Sequence, residues 1–422
     1  MSDFVIELGF GRETRRLTVP EKNFAGLVQP QTPPPGPRGP ELVVEALAAP
    51  VGTPRLSELA KPGEKIALIV SDLTRPFPAA EVLPPVLAEL AAAGVRDEDL
   101  TVVFALGSHR AQSPQEREAL VGPDIFRRLK CVDGDPADCL RLGLTSRGTP
   151  VDVTRVVAEA KLRLGLGNIE HHYFAGFSGG AKAVMPGVSS RAAIEANHGL
   201  MVQPGAKAGR LAGNPVREDL EEAVGRFGLL DFIVNVVLDD HKKIVHCSAG
   251  HFIEAHRAGC AVVDRLNAAP LARQADVVVA SQGGAPKDLN LYQTQKALDN
   301  AKEAVRPGGI IVLVGSCREG LGEKVFEDWM LSAPDPASLV ERVRTGFQLG
   351  GHKAAAIALT LARNDVYLVS ELDPRLVERI FLKPFATPQQ ALDAALARLG
   401  PQAQALVMPH AGATLPLAPE AP

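Results

Sequence analysis

Hydrophobic and polar positions along the chain switch repeatedly between two rhythms. EKIALIV (64–70) is an apolar run that stops at Ser71 and Asp72, and PAAEVLPPVLAELAAAGV (78–95) has the spacing of an amphipathic helix. LTVVFAL (100–106) predicts the next strand and SPQEREAL (113–120) the next helix, with Ser113 as N-cap and Glu116 closing a capping box. KLRLGLG (161–167) is a further strand, SSRAAIEANHGL (189–200) and NPVREDLEEAVGRF (214–227) are helices, DFIVNVVLD (231–239) and KIVHCSA (243–249) are strands, and HFIEAHRAGCAVVDRL (251–266) is a helix. Near residue 270 the pattern restarts. ADVVVAS (275–281) has the unbroken apolar character of a strand buried on both faces. The helix LYQTQKALDNAKEAV (291–305), the strand GGIIVLVGSC (308–317), helices to about residue 363, the strand DVYLVS (365–370) and ALVMPHAG (405–412) complete it.

Alternating strands and helices predict an α/β fold. We expect two doubly wound, Rossmann-like domains with mainly parallel sheets and an active-site cleft between them. The restart sets the division: residues 1–270 as an N-terminal catalytic domain that binds a cofactor, with the C-terminal tail from about 400 to 422 as a candidate to complete it, and residues 271–399 as a domain that closes over substrate. The opening segment alternates around Gly9 and Gly11 and predicts a β-hairpin. QTPPPGPRGP (31–40) predicts an extended connection, and TLPLAPEAP (414–422) a loose tail.

Composition narrows the function. The chain of 422 residues is 46% hydrophobic and carries a net charge of −4 with no block of like charges, so neither a nucleic-acid groove nor a membrane-surface patch is expected. Aromatics are only 5%, too few for a base-stacking platform. No apolar run approaches the roughly 18 residues of a membrane helix, and the N-terminus lacks the apolar core of a signal peptide. Five scattered cysteines without a C-x-x-C fit a reduced, cytoplasmic protein.

Three polar clusters each follow a predicted strand directly: SDLTRP (71–76), GSHR (107–110) and NIEHHYF (168–174). In an open parallel sheet the carboxyl ends of the strands share one edge, and ligands bind there. SQGGAPKDLN (281–290) follows ADVVVA in the same way in the second half. Taken alone, Ser71–Pro76 reads equally as a turn with a capping side chain. As a site, Asp72, Thr74 and Arg75 suit phosphate, hydroxyl or carboxylate groups. His109 stands where an imidazole can take and give a proton near neutral pH. His171 and His172 should point apart, so one of them faces the site. GFSGGAK (176–182) invites a phosphate-loop reading but fails the Walker pattern, because Ala181 separates Gly180 from Lys182 and no Ser or Thr follows. Gly179 and Gly180 still allow backbone N–H groups to approach a phosphate, and a glycine-rich turn is the alternative. His198 alone reads as a surface or capping histidine, and no zinc signature is present.

These segments together resemble the nickel-pincer-nucleotide racemases and epimerases, the lactate racemase family. The match runs through Ser71–Pro76, Gly107–Arg110, the run from Glu170 to His198, Gly213-Asn214-Pro215-Val216-Arg217 and Tyr292-Gln293-Thr294-Gln295-Lys296, nearly the whole chain in order. The resemblance implies a pyridinium-type mononucleotide with two sulfur groups, bound covalently to Lys182 and holding nickel, with His198 completing the metal plane. It implies His109 and His172 as the two acid/base histidines, Arg75 and Lys296 at the substrate carboxylate with Tyr292 and Gln293 beside them, and Asp72 and Thr74 at the nucleotide. Enzymes that build the cofactor are implied partners. The chemistry agrees. A C2 proton beside a carboxylate is very weakly acidic, whereas moving a hydride avoids the carbanion and leaves a planar 2-keto acid, and two bases on opposite sides serve both enantiomers. One departure concerns residues 346–360, GFQLGGHKAAAIALT, which lack the tryptophan of lactate-specific members. The substrate expected is therefore a more polar or longer 2-hydroxy acid, malate-like, with His352 or Lys353 meeting its side chain. The alternatives are an aldonate 2-epimerase on the same scaffold and a non-catalytic protein that stores the nucleotide.

Overall fold

The computed structural model describes residues 3–29, 36–239 and 241–417. Half of the proline-rich connection and the end of the tail therefore lie outside the described residues. The chain divides into two compact units, one spanning Pro33–Arg265 and the other joining Met1–Thr32 to Leu266–Pro422.

The Pro33–Arg265 unit is built on a six-stranded sheet. Its strands run in the order Ile244–Gly250, Phe232–Leu238, Leu162–Asn168, Ile66–Ser71, Leu100–Ala105 and Lys130–Asp133. Every neighbouring pair is parallel except the first, which is antiparallel. Ile66, Leu68 and Val70 are buried in one core with Leu164, Leu166, Val102 and Phe104, against Val82, Leu83, Val86 and Leu90 of the helix Ala79–Ala92. This burial on both faces is why the sequence of these strands is a run rather than an alternation. The chain order reverses beside Ile66–Ser71. From there the chain steps outward to Leu100–Ala105 and Lys130–Asp133, then returns to Leu162–Asn168 on the opposite side. Such a reversal opens a crevice at the carboxyl edge. All three polar clusters of this half follow strands that are immediate neighbours there.

In the second unit all five neighbouring pairs are parallel. The order is Lys383–Phe385, Asp365–Val369, Val305–Val314, Ala275–Ser281, Ala405–Met408 and Phe24–Leu27. One face is covered by helices that include Leu291–Ala304 and Gly351–Leu361. The other face packs on the helix Pro388–Leu399 and on the hairpin of Phe4–Phe10 with Glu13–Val19.

The division of the chain differs from the one read in the sequence. The N-terminal hairpin forms as expected, but it belongs to the second unit. Leu8, Phe10, Leu17 and Val19 are buried with Val277, Val279, Val312 and Val314. Each such side chain stabilises by roughly 1.5–3 kcal/mol before entropy is counted, which decides where the hairpin docks. Gly9 explains the closeness of the fit, because a Cβ there would lie 2.4 Å from the Gly283 backbone. The strand Ala405–Met408 likewise sits inside the second sheet, between Ala275–Ser281 and Phe24–Leu27, and does not complete the first. Leu415–Leu417, expected as loose tail, pairs with Ala268–Pro270. Hydrophobic alternation shows that a segment has a face to bury but not which sheet receives it.

Candidate active site

Within the Pro33–Arg265 unit the strand Ile66–Ser71 delivers Asp72 to the edge of the sheet, where the residue is 3% exposed. Its carboxylate organises the following turn. Oδ1 accepts from the Thr74 hydroxyl at 2.7 Å and from the Thr74 N–H at 3.3 Å. Oδ2 lies 2.7 Å from His109 Nδ1. A carboxylate only accepts, so Nδ1 carries a proton, and in the neutral ring Nε2 is the atom with the lone pair. Burial alone would push the Asp72 carboxyl up, but the hydrogen bonds from His109 and Thr74 and the charges of His109 and Arg75 outweigh it and hold the group below its usual range. The Leu73 N–H donates to Gln112 Oε1 at 2.9 Å, and Gln112 is in turn held by Asp133, whose Oδ2 accepts the Gln112 N–H at 2.8 Å. Three neighbouring strand ends are thereby tied into one rim.

The strand Leu162–Asn168 leads into a small hairpin in which His171 pairs with Phe177 and His172 with Gly176. The two histidines point apart. His171 Nε2 is 2.8 Å from Asp264 Oδ1, while His172 Nε2 is 3.3 Å from Lys182 Nζ. His172 Nδ1 accepts from the Ala175 N–H at 3.3 Å. A neutral ring with an accepting Nδ1 carries its proton on Nε2, which faces the Lys182 nitrogen. Burial is the main cause that pushes both groups well below their usual ranges. The charges of Arg217 and Arg75 add to it at Lys182, and those of Lys182, Arg75, His198 and Arg217 at His172. Phe174 packs edge-on against both His172 and His198, with centroids 4.5 Å and 5.0 Å apart, and its ring lies 5.7 Å from Lys182 Nζ. Arg75, His172, Lys182 and His198 are therefore one neighbourhood, at the same sheet edge as the Asp72–His109 pair.

Gly179 and Gly180 adopt φ of 73° and 59°, and Lys182 rides on the turn Gly180–Ala183 that follows. A Cβ on Gly179 would lie 2.7 Å from Asn235 Oδ1, and one on Gly180 would lie 2.8 Å from the His256 ring. The Gly180 N–H donates to Asn235 Oδ1 at 2.8 Å. Backbone conformation and close packing thus require these glycines, and the Gly180 N–H already has an acceptor within the protein.

Sequence reasoning gave no role to the groups that hold this loop. Arg217, fully buried, donates to the carbonyls of Ala175, Phe177 and Gly179. Burial lowers its pKa to about 10, against the favourable charge of Glu221. Asn214 caps its helix and donates to the Phe174 carbonyl at 2.9 Å. The available signal was Asn214-Pro215, an N-cap followed by Pro at N1, which announces a helix start but not what the cap also grips.

Tyr292, Gln293 and Lys296 belong to the other unit, on the first two turns of the helix Leu291–Ala304, where Asn290 is N-cap to the Gln293 N–H. Tyr292 and Gln293 are half-buried and Lys296 is exposed. Lys353 Nζ donates to the Tyr292 carbonyl at 2.5 Å and lies 4.0 Å from the centre of its ring. Burial, then the charge of Lys296, lowers the Lys353 pKa to about 7. His352 Nδ1 accepts from the Gly350 N–H at 3.0 Å. Both residues are buried, each with a partner inside its own unit. The indole of Trp329 donates to Gln348 Oε1 at 3.2 Å, and a Cβ on Gly351 would meet it at 2.5 Å, so this ring covers the start of the 346–360 segment despite its distance in sequence.

Among the described residues no three His, Cys, Asp or Glu side chains gather as a metal site, and no helix is long and apolar enough to cross a membrane. All five cysteines are free.

Comparison with known proteins joins these observations. Residues 10–209 match the lactate racemase N-terminal domain and residues 271–415 the lactate racemase C-terminal domain. A lactate racemase of Lactiplantibacillus plantarum is 32% identical over 416 residues, which cover 96% of this chain and 97% of that protein. A lactate racemase of Thermoanaerobacterium thermosaccharolyticum is 33% identical over 345 residues, 80% of each chain. The structure of the T. thermosaccharolyticum lactate racemase apoprotein superposes with a TM-score of 0.87 at 30% identity, covering 98% of this chain and all of that one. A Thermotoga maritima protein shares the fold at a TM-score of 0.63 and 17% identity. The chain belongs to the lactate racemase family of isomerases.

Proposed function

We propose that the protein inverts C2 of a small 2-hydroxy acid, with His109 and His172 as the two acid/base groups. The observation that carries this reading is the pair of histidines that follow the two strands flanking Ile66–Ser71, each with its ring held by a different partner. Asp72 fixes His109 with Nε2 as the accepting atom and stabilises the imidazolium that forms when that atom takes the substrate's hydroxyl proton. His172 lies in a drier setting, where burial and then the charge of Lys182 favour its neutral ring, and with its proton on Nε2 it serves as the acid opposite His109. Arg75 and Lys296 hold the substrate carboxylate, with Tyr292 and Gln293 beside Lys296. A nucleotide-storage protein has no need of the Asp72–His109 pair.

The donor set fits a nickel-pincer nucleotide. Burial holds the Lys182 amine well below its usual range and so favours the neutral, nucleophilic form that covalent attachment requires. His198 is a single imidazole donor, and a metal held there needs its other ligands from a cofactor. Asp72, Thr74 and Arg75 border the place of the nucleotide, and Gly179 and Gly180 shape the turn that presents Lys182. When bound, the cofactor supplies a hydride acceptor, so that the substrate passes through a planar 2-keto acid. Cytoplasmic enzymes that build the nucleotide are the partners this reading requires.

For the substrate we favour a 2-hydroxy acid longer or more polar than lactate, malate-like, on the absence of tryptophan from residues 346–360. Lys353 and His352 are held within their own unit by Tyr292 and Gly350, and the alanines that follow are buried in its core, so none of them is assigned to the substrate's side chain. The test is made on enzyme produced with the cofactor-building enzymes. Deuterium at C2 is retained through inversion, and peptide mass spectrometry finds an adduct on Lys182. Washout of deuterium at the rate of inversion, or active enzyme with unmodified Lys182, overturns the reading.

A further inference from the structure

The side chains behind His198 form a buried chain of hydrogen bonds that ends on its ring. Asp219, on the helix Pro215–Arg226, is fully buried, and its carboxylate takes three donors. The Thr145 hydroxyl donates to Oδ1 at 2.6 Å, the Thr149 hydroxyl to Oδ2 at 2.8 Å, and Asn197 Nδ2 to Oδ2 at 2.9 Å. Thr145 and Thr149 stand at the turn between the strands Cys139–Leu144 and Pro150–Thr154, where the Thr149 N–H also donates to Thr145 Oγ1 at 3.1 Å. Asn197, fully buried near the end of the helix Arg191–Gly199, gives a second Nδ2 hydrogen bond to the Val216 carbonyl at 3.1 Å. Both partners of Nδ2 are acceptors. Turning the amide over would set its oxygen against a carboxylate and a carbonyl in a buried place, which is costly. The orientation is therefore fixed, and Asn197 Oδ1 faces His198 Nδ1 at 3.2 Å. An amide oxygen only accepts, so His198 carries its proton on Nδ1 and its lone pair on Nε2.

We propose that Asn197, aligned by Asp219 with Thr145 and Thr149, is a positioning residue that sets the tautomer of His198 and so makes Nε2 the atom offered to nickel. The proposal rests on the reading of His198 as the metal ligand. It gives a purpose to a buried carboxylate that forms no ion pair among the described residues. Asp219 sits 22 residues beyond Asn197 in sequence and acts on the imidazole only through the amide. Partners of this kind change metal affinity by about 10–100-fold when removed.

The first measurement needs no cofactor. Imidazole ¹⁵N shifts and two-bond couplings are recorded on apoprotein at about pH 8, above the ordinary histidine range, with the His198 signals assigned from their loss in His198→Ala. We expect a protonated Nδ1 and an unprotonated Nε2. Asn197→Leu and the near-isosteric Asp219→Asn abolish this preference, and Thr149→Val, which removes one donor, weakens it. The second measurement follows nickel loss from loaded enzyme to a chelator, where Asn197→Leu and Asp219→Asn bind nickel about 10–100-fold more weakly. A proton on Nε2 in the wild-type apoprotein overturns the proposal. So does an unchanged tautomer in folded Asn197→Leu or Asp219→Asn, or nickel held as tightly as in wild type once the tautomer has changed. Nickel retained in full by His198→Ala instead removes the ligand assignment beneath it, whatever the tautomer.

Discussion

Replacing Asp72 by asparagine exchanges one oxygen for an NH₂ group and should disable His109 as the base proposed above. The Thr74 backbone N–H donates to Asp72 Oδ1 at 3.3 Å and cannot become an acceptor. In Asp72→Asn the amide oxygen therefore stays on that side and the NH₂ group turns to His109 Nδ1, which then has to accept. The proton moves to Nε2, the atom that must be free to take the substrate's hydroxyl proton. The variant also loses the carboxylate that stabilises the imidazolium, at a site only 3% exposed. A misdirected general base costs about 10²–10⁴-fold, or about 2.7–5.4 kcal/mol at about 1.36 kcal/mol per tenfold. Because tautomer and charge fail together, kcat should fall towards the upper end of that range while Lys182 keeps its adduct. Thr74→Val supplies the contrast. It removes the 2.7 Å hydroxyl bond but leaves the carboxylate and the backbone N–H. The loss there is about 0.5–1.5 kcal/mol, roughly two- to twelvefold. The assay is the initial rate of inversion in both directions by chiral chromatography, with nickel and adduct content measured on the same samples. Asp72→Asn within tenfold of wild type at equal loading would refute the argument, as would Thr74→Val being the more damaging change.

Lys182→Met should stabilise the apoprotein at neutral pH. The folded pKa of Lys182 lies well below 10.5, so the unfolded chain holds a proton there more readily. That cost is fully present below the folded pKa and fades as pH rises towards about 10.5, so the advantage of the variant in denaturant titrations should shrink from pH 7 to about pH 10. Arg217→Met strands the carbonyls of Ala175, Phe177 and Gly179, and we expect a loss of about 3 kcal/mol or more in the same titrations. His109→Ala and His172→Ala should each lower the rate of inversion by about 10²–10⁴-fold with nickel retained. In a panel of lactate, malate, 2-hydroxybutyrate and an aldonate, kcat/KM for malate should exceed that for lactate. Lactate leading the panel would mean that Trp329, which reaches the 346–360 segment through Gly351, restores the wall that segment lacks.

The strands at the sheet centres were legible because each is an apolar run closed by a polar cluster, and their common edge followed from parallel topology. The Ser113–Glu116 capping box forms as its spacing predicts. Elements without a pattern of their own escaped. Lys130–Asp133 has four residues, and the strand Phe24–Leu27 only two large side chains, so their pairing is set by the sheet they join. At the site the candidate side chains were visible as residue types, and the opposed directions of His171 and His172 follow from strand geometry. What the sequence concealed were relations: Asp72 facing His109, Arg217 under the 175–179 loop, and Trp329 lying on Gly351. Each joins positions tens of residues apart through burial, which leaves no mark in local periodicity.

The strand Phe24–Leu27 pairs with Ala405–Met408, about 380 residues later in the chain. At about 5–20 residues per second, the ribosome needs roughly 20–80 seconds to make that partner available. Until Ala275–Ser281 and Val305–Val314 have emerged, Leu8, Phe10, Leu17 and Val19 have no sheet to cover, while Pro33–Arg265, whose contacts are local to it, is already complete. The nascent protein therefore carries a finished Pro33–Arg265 unit behind an unsatisfied sticky ribbon. Its yield in a cell should respond to chaperones that hold exposed apolar segments of unfinished chains.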